Sequence, residues 1–446
     1  MNYEYVHVGS WRVLVVRPRE WSYGHQVVEI LMALHMARTR GAHVCIRRPR
    51  AVSNEALFNP ECDQVWMLRS RALRLIAVSA AALRRASLGA QTGARRRWEL
   101  SRGWWRRVVL DALSWGARYG AWAARYKKRY KQFLAHAGGL KPPKALTPPP
   151  DFWGLDFRHH YARHPLTFRL HGSWEREARE AASQLGLAGR IATLHVRESG
   201  FKIAEGTNDT EADALRNARI EMYCLAIDYL VTRGFTVVRI GDRSMTPVKL
   251  DGVVDLATSR ARSDFLELWL LMHSELFIAC DSGPYMASLL TPAPCLAVNV
   301  TNVIGAYPLR SRERYILKRV WDQLHGRFLS LSEMLSEGYF ATRKDSSRYA
   351  VVDNTPEEIC EAVAETLEVL EGPCPETPVQ LRYRAAAARL QNSPIVAARR
   401  IKKGEPAVQF LGDGAICHGF AARHFDVLES SVVGGQSSES TDGGTV

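Results

Sequence analysis

The stretch ELFIACDSGPYMASLL, residues 275–290, changes its periodicity half-way along. An apolar run of strand character meets a four-residue turn, Asp281-Ser282-Gly283-Pro284, and a helical pattern follows. Strand, polar turn and helix in that order is half of a β-α-β unit, which points to the α/β class. The turn also poses a chemical choice. Ser282 is an attacking nucleophile, a ligand for an anion, or one residue of a tight bend.

The same alternation continues on both sides. Upstream, WEREAREAASQLGL (174–187) reads as a helix and RIATLHVRESG (190–200) as a strand running into a loop. RNARIEMYCLAIDYLVTRG (216–234) is a helix stopped by glycine, FTVVRIGD (235–242) a strand and GVVDLA (252–257) a short strand. RSDFLELWLLMHS (262–274) is a helix with Ser263 or Asp264 near its cap. Downstream, PCLAVNV (294–300) is a strand, and NTPEEICEAVAETLEVLEG (354–372) is a helix opened by a T-x-x-E signature.

A second unit stands at the N-terminus. WRVLVVRP (11–18) is β-rich, the loop REWSYGHQ follows, VVEILMALHMARTRG is apolar at helical spacing, and AHVCIRRP is the next strand. GGLKPPKALTPPPDFWG (138–154) is rich in Gly and Pro and marks a boundary. The expected organisation is a Rossmann-like domain over 1–150 carrying a helical insertion at 69–137, and a second Rossmann-like domain over 151–375. A closing segment spans 376–428, and the polar, low-complexity tail 429–446 is expected to be disordered.

Composition sets the class. The 446 residues, 46% hydrophobic and 24% charged, are those of a soluble globular protein of two or three domains. The opening MNYEYVHVGSWRVLVV has no basic region, apolar core or cleavage site of a secretory signal, and no window offers the roughly 18 charge-poor apolar residues of a membrane span. Eight cysteines are scattered with no C-x-x-C pair, which disfavours disulfides and zinc and fits a reducing cytoplasm. The expected location is cytoplasmic.

The net charge of +14 is concentrated. Residues 69–131 hold 17 Lys and Arg against Glu99 and Asp111, a local balance of +15. Trp98, Trp104, Trp105, Trp115 and Trp122 lie in the same stretch. Basic heads interleaved with indole rings suit an anionic membrane surface, with a peripheral position on the inner face of the membrane as the corresponding location. Packing of a solvated helical hairpin is the plain alternative, and nucleic acid is disfavoured.

No G-x-x-x-x-G-K-[ST] and no G-x-G-x-x-G occurs, which argues against a P-loop ATPase or a dinucleotide enzyme. D-x-D is also absent, DTE (209–211) being the nearest approach, so no metal and no cofactor is expected. Polar residues instead collect at strand ends: His195 and Arg197, Arg239 and Asp242, Ser259 after the short strand, then Asp281, Ser282 and Gly283. Arginine at such a position donates aligned hydrogen bonds to phosphate oxygens, and glycine allows close backbone approach. Taken singly, either arginine is more often a structural ion-pair former.

Taken in order, these segments resemble a family of bacterial glycosyltransferases, distantly similar to the O- and α-1,6-fucosyltransferases and with some likeness to heptosyltransferases. The resemblance is carried by HVRESGF (195–201), RNARIEMYCLAIDYLVTRGFTVVRIGD (216–242), SDFLELWLLMHSELFIACDSGP (263–284), YILKRVWDQLHGRFLSLSEML (315–335) and NTPEEICEAV (354–363). YGHQ (23–26) matches the Gly-His opening of the N-terminal half, and DGAICHGFAARHFDVL (413–428) the closing segment. It implies a GT-B architecture, two facing Rossmann-like domains with a nucleotide-sugar donor bound mainly by the second. In the fucosyltransferase-like relatives, the arginine of H-x-R and the serine of the later turn contact the donor diphosphate. These map to Arg197 and Ser282, with His195 shaping the same loop. The relatives carry a second basic residue where this chain has Glu198, which leaves the nucleotide and the sugar open.

The implied activity is metal-independent, inverting transfer from a nucleotide-sugar to a glycan or lipid-linked acceptor in cell-surface polysaccharide synthesis. Glu198, Asp242 and His25 are the candidate bases, and Tyr23, Gly24 and His25 the acceptor-side residues. Two other readings compete. A serine hydrolase needs G-x-S-x-G, and C-D-S-G-P does not fit that turn. A non-catalytic scaffold would use 69–131 and keep the α/β body as a platform.

Overall fold

A computed structural model describes residues 2–8, 11–17, 27, 29–31, 33–34, 37–38, 41–46, 61–62, 168–200, 214–304, 310–372, 374–403 and 412–425. Tyr23, Gly24 and His25, the basic segment 69–137, the boundary 138–154 and the tail 429–446 lie outside them.

In chain order the strands are β1 Asn2–Val8, β2 Trp11–Arg17, β3 His43–Ile46, β4 Glu61–Cys62 and β5 Phe168–Arg169, followed by helix α1 Gly172–Gln184. Next come β6 Arg190–His195, α2 Cys224–Thr232, β7 Phe235–Arg239, β8 Val253–Asp255 and α3 Asp264–His273. Then follow β9 Leu276–Ala279, α4 Gly283–Ala287, β10 Cys295–Val300, β11 Arg314–Leu317, β12 Arg319–Asp322, β13 Arg327–Phe328 and β14 Tyr349–Val352. The last are α5 Pro356–Glu371, α6 Pro378–Gln391, α7 Pro394–Lys403, β15 Ala415–Ile416 and α8 His418–His424.

By packing the chain divides into two units, one of Met1–Leu187, Ala261–His273 and Gly283–Pro292, the other of Ala188–Arg260, Ser274–Ser282 and Ala293–Val446. In the first, β2 and β3 pair in parallel as their β-α-β pattern predicts, and β1 adds antiparallel to β2, a strand the sequence reading does not contain. Between them, helical residues Val27, Ile30, Leu31 and Leu34 are fully buried, the i, i+3, i+4, i+7 stripe of an amphipathic helix. Within this unit α3 packs on α1: Trp174 stacks on Phe265, and the Trp269 indole donates to Glu175 at 3.0 Å.

The second unit is built on a seven-stranded sheet in the order β15-β11-β10-β9-β6-β7-β8. Every pairing in it is parallel. Such strands are covered on both faces and read as continuous apolar runs, and all of β9 and β10 is buried. From β6 the chain moves outward through β7 to β8, then returns to the other side of β6 with β9 and moves away through β10, β11 and β15. The order therefore reverses between β6 and β9. In open parallel sheets ligands bind outside the carboxyl ends of the strands at that reversal.

Helix α5 packs against α2, β10 and β11. The T-x-x-E signature forms the capping box expected of it: Thr355 Oγ1 accepts from the Glu358 amide and the Glu358 carboxylate from the Thr355 amide. Gly252 precedes β8 with φ +74°, and a Cβ there would strike the Val231 side chain of α2, so the close approach requires glycine. Helix α2 starts later than the 216–234 pattern suggests. A 3-10 turn, Ile220–Tyr223, leads into it from an extended Arg219, and residues 217–219 stay outside the helix, where the Asn217 carbonyl accepts from Lys318 and the Ala218 amide donates to the Arg197 carbonyl. An antiparallel sheet of β13-β12-β14 follows β11, and β15, from the segment expected to close the chain, joins the main sheet beside β11.

Candidate donor site at the carboxyl edge of the parallel sheet

His195 is the last residue of β6 and lies in register with Ala279 of β9. Ser282 stands three residues beyond Ala279 and is buried, and its Oγ lies 3.0 Å from His195 Nδ1. A hydroxyl–imidazole hydrogen bond thus bridges the two strands at the reversal. The imidazole is 4% exposed, and burial lowers its pKa to about 3; Asp242 opposes the shift, and the Arg239 and Arg197 charges add to it. The ring is neutral at neutral pH. That separates this pair from a hydrolytic dyad, whose base must take the serine proton and works best with a pKa near the operating pH.

Arg197 leaves β6 beside this pair. Its amide donates to Cys280 Sγ at 3.1 Å, its carbonyl accepts from the Ala218 amide at 3.1 Å, and Nη1 donates to Asn217 Oδ1. Cys280 is enclosed, and burial pushes its thiol up to about 11, so it serves as a packed acceptor rather than a nucleophile. Asp281 Oδ2 accepts from Thr301 Oγ1 at 2.7 Å, tying the turn after β9 to the end of β10. Gly283 opens α4, and Ser259 lies half-buried in the turn after β8.

Arg239, at the end of β7, is fully enclosed. Nη2 donates to Glu198 Oε1 at 2.5 Å and Nη1 to Asp255 Oδ1 at 3.2 Å and to the Thr246 carbonyl at 2.9 Å. Both Glu198 oxygens are engaged, since Oε2 accepts from the Thr246 amide and hydroxyl at 2.9 and 3.0 Å. Asp255 Oδ2 accepts from the Val248 amide at 3.0 Å and Thr258 Oγ1 at 2.8 Å. The charges of Arg239 and Glu198 are therefore directed at each other and at the 246–248 loop. In this setting Arg239 offers no exposed fork to a phosphate and Glu198 no unengaged oxygen to an acceptor hydroxyl. Asp242 caps its own turn, accepting from the Ser244 amide at 2.9 Å and from the Ser244 hydroxyl.

The strapped loop borders a cavity of about 420 Å³, lined among others by Glu198, Ile220, Cys224, Pro247, Val248 and Leu250. Three residues that the motif reading passes over belong to the same edge. Lys318, after β11, is 4% exposed and donates to Asp353 Oδ1 at 2.7 Å and to the Asn217 carbonyl at 2.5 Å. Asn299 and Asn354 exchange amide bonds, each backbone N–H donating to the other's side-chain oxygen at 2.8 Å, with Asn299 held at φ +54°. The sequence signal for Lys318 is weak: a lysine closing the apolar YIL run, without its partners in view.

Among the described residues, no three His, Cys, Asp or Glu side chains gather as a metal-ligand group, and no helix is long and apolar enough to cross a membrane. No protein-family model matches the chain, and no curated protein matches it. A solved structure described as a glycosyl transferase family 9 protein from Veillonella parvula DSM 2008 aligns over 81% of this chain and 97% of its own. The identity is 15% and the TM-score 0.37, a likeness too distant to define a shared fold or activity.

Proposed function

We propose that the protein is a glycosyltransferase of GT-B type, taking its sugar from a nucleotide-linked donor held at the carboxyl edge of the seven-stranded sheet. The observation that carries this reading is the His195–Ser282 bond across the sheet's reversal, with Arg197 fixed beside it by Asn217. The order of motifs from HVRESG to NTPEEICEAV supports the same assignment.

Transfer breaks the bond from the anomeric carbon to the leaving phosphate oxygen, and charge accumulates on the nucleoside diphosphate as the sugar takes oxocarbenium character. Arg197 donates charge-assisted hydrogen bonds to that diphosphate, and the Ser282 hydroxyl adds a donor whose oxygen is oriented by the neutral His195 ring. The acceptor hydroxyl requires a base, and inversion follows if it attacks from the opposite face. With Glu198 engaged, Asp242 and the acceptor-side His25 are the remaining candidates. The rest of the donor is proposed to occupy the cavity beside the 246–250 loop, a reading supported by Glu198 and Ala218 in its lining, the one next to Arg197 in sequence and the other bonded to its carbonyl.

Binding of GDP-, UDP- and CDP-linked sugars, followed by thermal shift and calorimetry, tests the reading. One donor is expected to bind, and Arg197→Ala is expected to weaken it by about 10- to 100-fold, the worth of one or two hydrogen bonds to a charged group. Absence of binding across the panel removes the reading.

The acceptor is proposed to be a glycan or lipid-linked saccharide at an anionic membrane surface, supported by the charge and tryptophan content of 69–131. Co-sedimentation with anionic vesicles is expected at low salt and should fade as ionic strength rises. A protein that stays in the supernatant at low salt excludes it.

A further inference from the structure

A chain of polar contacts runs across the carboxyl edge from β11 to β6. It starts at Asp353, whose Oδ1 pairs with Lys318 Nζ at 2.7 Å. Lys318 follows β11 directly and is placed by the neighbouring strand β10, its amide donating to the Val300 carbonyl at 2.9 Å. From there Nζ reaches the Asn217 carbonyl at 2.5 Å, a residue 101 positions away in sequence. The side-chain oxygen of Asn217 accepts from Arg197 Nη1, while the next amide, Ala218, donates to the Arg197 carbonyl at 3.1 Å. One short segment, Asn217–Ala218, thus holds Arg197 at both its guanidinium and its backbone, and Lys318 anchors that segment.

Lys318 is buried and Asp353 half-buried, and such a pair gives little net stability over an apolar pair of the same volume, because desolvation of the lysine offsets much of the attraction. Its polarity therefore calls for another explanation, and the contact to Asn217 supplies one. We propose that Lys318 is a positioning residue for Arg197, acting through Asn217, and so sets the affinity of the site for the diphosphate of its ligand. The inference rests on the reading of Arg197 as the diphosphate ligand. A side chain as long as arginine has many rotamers, and fixing its fork before binding removes an ordering cost that the ligand would otherwise meet.

The test is a double-mutant cycle read with GDP, UDP and CDP as probes, using the full chain. Lys318→Met is expected to weaken binding of the preferred nucleotide about tenfold when Arg197 is present and to have almost no effect in the Arg197→Ala background. Equal losses in both backgrounds would mean that Lys318 acts on folding alone and would overturn the proposal. Asp353→Asn, which keeps an acceptor for Nζ, is expected to show the same non-additivity with a smaller loss. Hydrogen exchange gives a readout independent of any ligand. Lys318→Met should speed exchange at the Ala218 amide while β6 and β11 stay protected, and unchanged exchange at Ala218 overturns the proposal. If no nucleoside diphosphate binds the wild-type protein, the assignment of the donor site fails, and the exchange measurement alone decides whether Lys318 holds Asn217.

Discussion

Arg239→Met is expected to destabilise the protein by about 3–5 kcal/mol, the usual cost of removing one member of a buried ionic group. The residue is fully buried, and the Glu198 and Asp255 side chains facing it are only 22% and 10% exposed. Methionine fills much of the same volume, so the loss is electrostatic rather than a cavity. The two carboxylates keep their bonds to Thr246, Val248 and Thr258 but lose the cation that made their burial tolerable. Among the described residues Arg239 Nε has no hydrogen-bond partner, so even the intact group carries some uncompensated desolvation. Neutralising the carboxylates together, in Arg239→Met with Glu198→Gln and Asp255→Asn, should therefore restore more than half of the lost stability. Urea unfolding of the three proteins measures both effects. A single variant within 1 kcal/mol of wild type would show that the triad is not a load on the fold and that the 246–250 loop is held by other means.

That triad marks the border of what the chain reveals before it is folded. The change of periodicity at Asp281-Ser282 correctly gives a strand end, a turn and a helix, and the apolar runs correctly give the strands on either side. Periodicity is a local property, fixed by whether successive side chains meet the core every second or every third and fourth residue. What a polar residue does at a strand end is not local. Arg197 and Arg239 look alike in HVRESG and VVRIGD, yet one is half-buried beside the reversal and the other is enclosed by carboxylates 41 and 16 residues distant. Glu198, standing where the fucosyltransferases that the sequence resembles carry a basic residue, supplies half of that enclosure. Lys318 and Asn217 carry no spacing signal, because their contact exists only once β11 and the segment before α2 reach the same edge. Strand β1 is a different case, because its signal is local and the reading passes over it: YEYVHV precedes Gly9-Ser10 and the β2 run, the pattern of two strands separated by two turn residues.

Acidification is expected to weaken the fold through His195. The folded imidazole has its pKa lowered to about 3 by burial, whereas an unfolded histidine titrates near its ordinary 6.5. Above about pH 6.5 both states are neutral and the residue costs nothing. As pH falls from 6.5 towards 3 the unfolded chain takes up a proton that the folded one refuses, so stability drops throughout that window. At 1.36 kcal/mol per pH unit the loss reaches about 2 kcal/mol at pH 5. His195→Asn removes the titration and retains an amide group at the level of the ring Nδ1, within reach of Ser282. The difference in unfolding free energy between wild type and His195→Asn should then move by about 2 kcal/mol in the variant's favour between pH 7 and pH 5, since every other group titrates equally in both. Parallel stability profiles over that range would show that the ring accepts a proton in the folded state. Ser282 would then face an imidazolium, and the neutral hydrogen-bond partner that the proposed donor site assigns to it would be lost.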